Sequence, residues 1–74
     1  MGTPMLITYE AAIYNEIVRD LVSEHRHHEL YEDIWADLNF IEVQARSEDQ
    51  AIEKLKRRYP EKNGFKITQL YQVS

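Results

Sequence analysis

The chain has no cysteine, only two glycines and two prolines, and one tryptophan in 74 residues. Without cysteine there is no disulfide and no thiolate zinc site, and the redox compartment is unconstrained. Two isolated glycines cannot build a phosphate-cradling loop, and no Gly-x-Ser-x-Gly elbow occurs. No apolar run reaches the roughly 18 residues of a membrane span. The first residues lack a basic segment followed by an apolar one, so no secretory leader is expected and the expected location is cytoplasmic. Met1-Gly2 resembles a myristoylation start, but Leu6 stands where that pattern needs Ser or Thr. Met5 can serve as a start, so residues 1–5 read as a flexible or appended lead-in.

What is present fits one small domain over 1–74. Hydrophobic residues make up 43% and charged residues 30%, an ordinary balance for a folded chain rather than a disordered one. A chain of this length buries only about 60% of its unfolded surface, so its core is small. Such scaffolds usually gain stability from a disulfide, a metal or a partner subunit. The net charge of −4 hides an asymmetry: residues 1–49 carry eleven acids against three bases, and residues 50–74 carry two acids against six bases. Halves of opposite sign can mark a partner surface, or attract each other within one fold.

The clearest element is a helix over 47–59. Ser47-Glu48-Asp49-Gln50 matches a capping box, in which the serine oxygen accepts an amide and the glutamine bonds back. Ala51, Ile52, Leu55 and Tyr59 follow at helical spacing, the basic residues gather in the last turn, and Pro60 ends the helix. Asn63-Gly64 signals a turn. Strands are expected on either side. Ile41, Val43 and Ala45 alternate within 39–45, with Phe40 on the other face, and Phe65, Ile67, Tyr71 and Val73 alternate within 65–73. As sheet neighbours they would run parallel.

The N-terminal part reads as an amphipathic helix from about residue 9 to 27, with Tyr9, Ile13, Ile17 and Leu21 at four-residue steps and Thr8 as its cap. A competing reading makes Leu6–Ile13 a strand, because Ile7, Tyr9, Ala11 and Ile13 also alternate. Residues 30–38 extend the next strand backwards or form a short helical turn. The expected fold class is therefore α+β: an N-terminal helix followed by a β-α-β unit, a small sheet with its helices on one face. Two strands alone are not stable, so either 31–38 or a second copy must complete the sheet. This is the basis for expecting a homodimer.

Three clusters are candidates for function. All three histidines lie in Ser23–Asp33, SEHRHHELYED. On a continuous helix Glu24 and His27 would share a face, as would Glu24 with His28 and His28 with Glu32, a spacing that carboxylate–imidazole metal sites use. A solvated helix end explains the same residues, so no metal or other cofactor is expected; a pH-dependent contact is the remaining use of clustered histidines. The basic run Lys54, Lys56, Arg57 and Arg58 could meet phosphates, but there is no RNP-like aromatic motif and the net charge is acidic, so nucleic acid is not the expected partner. Tyr31, Trp35, Phe40, Phe65 and Tyr71 are the aromatic candidates for an interface, with the core as the competing destination. The edge Phe65–Val73 and the Lys54–Arg58 face are further contact candidates. No nucleophile or acid–base pair stands out. The expected function is thus a small non-enzymatic interaction or regulatory module that self-associates. Metal binding through Glu24, His27 and His28, and nucleic-acid binding through the basic helix face, are the alternatives.

Overall fold

The computed structural model describes residues 5–73; the expectation for the first five residues lies, apart from Met5, outside that range. The elements are β1 (Ile7–Asn15), α1 (Glu16–Ser23), a 3-10 turn (Asp33–Ala36), β2 (Asn39–Ala45), α2 (Glu48–Arg58), a second 3-10 turn (Glu61–Asn63) and β3 (Phe65–Gln72). The strands form one sheet in the order β2-β1-β3, with both pairs antiparallel. The fold class is α+β.

The N-terminal helix is the main correction. The segment expected to be helical from residue 9 is strand to Asn15, and only then helix. Tyr9 and Ile13 lie four apart, which puts them on one face of a helix and equally on one face of a strand. Pairing decides between these: as a strand the segment bonds to β2 over Ile7–Ile13 and to β3 over Tyr9–Asn15. The third strand therefore comes from within the chain, and no second copy is needed to complete the sheet. β2 and β3 do run in the same direction, but β1 lies between them. Thr8 sits in β1; the cap of α1 is Asn15, whose side chain accepts from the Val18 amide at 3.0 Å. Residues 30–38 hold a 3-10 turn rather than a strand.

α2 behaves as its sequence indicates. Ser47 Oγ accepts from the Gln50 amide at 3.2 Å, and the Gln50 side-chain Oε1 accepts in return from the Arg46 amide at 2.7 Å. Ala51 and Leu55 are fully buried against the sheet. They meet Tyr9, Ala11 and Ile13 of β1, Val43 and Ala45 of β2 and Phe65 of β3, which together form the core. The helix lies closer to β2 than to β3, so Ile67 and Leu70 on the β3 side remain half-buried. α2 packs on one face of the sheet.

α1 ends in a Schellman motif. The Arg26 amide donates to Leu21 O at 2.8 Å and the His25 amide to Val22 O at 3.0 Å, with His25 at φ 60°. Glycine normally fills this left-handed position, because a Cβ there costs about 1–2 kcal/mol. His25→Gly is expected to raise stability by roughly 0.5–1 kcal/mol in thermal unfolding, since the relief of strain outweighs the added unfolded-state entropy. An unchanged or lower melting temperature would show that the imidazole itself holds the turn.

Candidate functional site

Ending α1 at Ser23 separates the histidine stretch into residues with different tasks. Glu24 closes α1, and beyond His25 the chain no longer follows helical spacing. His27 Nδ1 lies 2.8 Å from Asp33 Oδ2 on the open surface, where an ion pair contributes little. His28 Nδ1 accepts the Leu30 amide at 3.0 Å and the Tyr31 amide at 3.3 Å, and its ring leans on Tyr31. Glu32 precedes the 3-10 turn as its cap residue, without a side-chain bond. The shared helix face that would have aligned Glu24, His27, His28 and Glu32 does not form. Among the described residues no group of three or more histidines and acids is placed to hold a metal ion.

The aromatic residues divide into two sets. Phe65 is 4% exposed, and Tyr31, Trp35 and Tyr59 surround it with ring centroids 5.0–5.3 Å from its own, each near edge-on. Tyr31 also accepts from Asn63 Nδ2 at 3.2 Å. The Phe65 side chain is therefore spent on the core of its own chain, the competing destination, and Tyr31 and Trp35 lie against it. Phe40 and Tyr71 are different. They point to the other side of the sheet and are 59% and 46% exposed. In register they flank the central strand, with Phe40 opposite Ala12 and Tyr71 opposite Glu10.

That open face carries Thr8, Glu10, Ala12 and Tyr14 of β1 between Phe40, Glu42 and Gln44 on one side and Lys66, Gln69 and Tyr71 on the other. Glu10 stands directly opposite Glu42, an unfavourable like-charge pair that a cationic or hydrogen-bonding neighbour would relieve. At one end Arg19 stacks on the Tyr14 ring, 3.7 Å from its centroid, and donates to Ala36 O at 2.7 Å.

The basic residues do not converge. Lys54 donates to Gln44 O of β2 at 2.7 Å, Arg57 pairs with Glu53 at 2.8 Å, and Arg58 lies over Tyr59. Lys54 and Lys56 are two residues apart, so they leave opposite flanks of the helix. Lys56 borders a groove of about 270 Å³ between α2 and β3, with Ile52, Ile67, Thr68, Gln69 and Leu70. Asn15 is the buried polar side chain of the described residues, and its bonds are structural. Sequence periodicity could show that Phe40 faces away from Ile41 and Val43. That Phe40 stays largely exposed there needed the three-dimensional arrangement.

Among the described residues no helix is long and apolar enough to cross a membrane. The chain matches no family model, no curated protein and no solved structure. A functional reading therefore rests on its own residues.

Proposed function

We propose that this protein is a small non-enzymatic interaction module that self-associates. The observation that carries the reading is the sheet face away from α2, where Phe40 and Tyr71 expose large rings that the core does not use. Exposed aromatic area of this kind is the usual anchor of a protein contact. The small core adds a second motive, because association supplies stability that so short a chain gains little of alone. Native mass spectrometry of untagged protein purified without chelator tests the reading. The expected species is a metal-free dimer in exchange with monomer. A monomer at every concentration up to millimolar would remove self-association, and a stoichiometric metal lost on His27→Ala would replace the reading with a metal-binding one.

A further inference from the structure

The two edges of the sheet are not equivalent. Thr8 O accepts from the Val73 amide at 2.8 Å, so the backbone groups of Thr8 face β3. Gln44, opposite Thr8, then turns its own groups away from β1 by the alternation of an antiparallel ladder. Lys54 covers that edge by bonding to the Gln44 carbonyl, and Glu42 adds a charge to it. Among the described residues no lysine bonds to the outer edge of β3, and beyond Lys66 the strand carries no charged residue and no proline from Ile67 to Gln72, the devices that usually keep an edge strand single.

β3 is also self-complementary, and its irregularity sets the register. At one end the Glu16 amide donates to Gly64 O at 2.7 Å, so Phe65 and Ile67 turn their backbone groups outward. At the other end the Thr8 bond turns Leu70 and Gln72 outward. A register shift between these halves, at Ile67–Gln69, changes the parity. In a regular strand outward residues would all share one parity. Here Ile67 and Leu70 are both outward and both on the helix-covered side.

We propose that β3 pairs with β3 of a second copy, antiparallel, about a two-fold axis between Thr68 and Gln69. This rests on the self-association proposed above and places its contact at the β3 edge, beside Tyr71, rather than on the sheet face around Phe40. In that register Phe65 meets the other copy's Gln72, and Ile67 meets its Leu70, so every outward backbone group faces another. The half-buried Ile67 and Leu70 gain apolar partners on the helix side, and Lys66 meets Tyr71 on the open side. The flank of α2 above this edge agrees in charge. Ile52 and Lys56 line the groove, and helical spacing puts Asp49 and Glu53 on the same stripe. Acids lie toward its start and the base toward its end, and the two-fold runs the helices antiparallel. Lys56 then faces the acids of the other copy, and it makes no ion pair among the described residues of its own. The product is a six-stranded sheet whose open face joins Phe40 and Tyr71 of both copies.

Sedimentation equilibrium on the full chain and four variants tests this, with far-UV circular dichroism confirming the fold. Leu70→Lys puts a charge in the centre of the pairing and is expected to weaken the dimer at least about tenfold. Lys56→Glu lies on the exposed helix surface, so it decides the matter even where Leu70→Lys fails to fold. It is expected to weaken the dimer about three- to tenfold, with recovery in Lys56→Glu combined with Glu53→Lys. A dimer indifferent to Leu70→Lys and Lys56→Glu but dissociated by Phe40→Lys would overturn the edge and leave self-association standing, moved to the sheet face. A monomeric wild-type chain would overturn both.

Discussion

Gly64→Ala is expected to lower stability by about 3 kcal/mol, a fall of roughly 12–24 °C in melting temperature for a chain of this size. Two costs combine. Gly64 has φ 100°, a left-handed conformation in which a side chain costs about 1–2 kcal/mol. The added Cβ would also lie 2.6 Å from Asn15 Oδ1 and 2.8 Å from Ile17 Cγ1. The Asn15 oxygen cannot yield cheaply, because it holds the Val18 amide at the start of α1. Gly64 itself donates to Glu61 O at 2.9 Å and accepts from the Glu16 amide at 2.7 Å, so shifting its backbone breaks the joint between β3 and the β1–α1 corner. Thermal unfolding followed by circular dichroism measures the effect; a loss below about 1 kcal/mol would mean that the corner relaxes freely.

Asn15→Ala is expected to cost about 2–3 kcal/mol. Asn15 is fully buried and bonds at both ends of its amide: Oδ1 takes the Val18 amide at 3.0 Å, and Nδ2 donates to Asn63 O at 3.0 Å. Truncation removes a helix cap, worth typically about 1 kcal/mol, and leaves a buried donor and acceptor unsatisfied. Asn15→Asp separates the two roles. It keeps an oxygen for the Val18 amide but sets a second oxygen against the Asn63 carbonyl, so it should fail to restore wild-type stability although Asp is a good cap elsewhere. Recovery in Asn15→Asp would reduce the residue to an ordinary helix start. The two sites should also couple. Gly64→Ala is expected to cost about 1 kcal/mol less in an Asn15→Ala background, where its closest neighbour is gone.

These two residues also show where reading the sequence stops. Asn63-Gly64 is legible as a turn, because glycine supplies the positive φ. That the turn folds back onto Asn15, forty-eight positions earlier, is not a local property. The same division runs through the functional candidates. Alternation put Phe40 on the face opposite Ile41 and Val43, and the structure leaves its ring exposed there. Spacing put Glu24 and His27 on one helix face, but the helix ends before them in a left-handed turn at His25. No glycine announces that turn, so the spacing reading had nothing to stop it.

The sequence by itself determined α2, its cap at Ser47, its stop before Pro60 and the strands on either side, because these depend on capping, backbone restriction and periodicity among near neighbours. It determined equally that no disulfide or thiolate metal site staples the chain. Only the tertiary structure decided that residues 7–15 are strand. Their four-residue spacing serves helix and strand alike, and the choice falls to pairing with β2 and β3, chain segments distant in sequence. It also decided which aromatic rings remain outside. Phe65 and Phe40 both alternate in their strands, but α2 and the Tyr31–Trp35 segment lie over one side of the sheet, and burial follows from that placement.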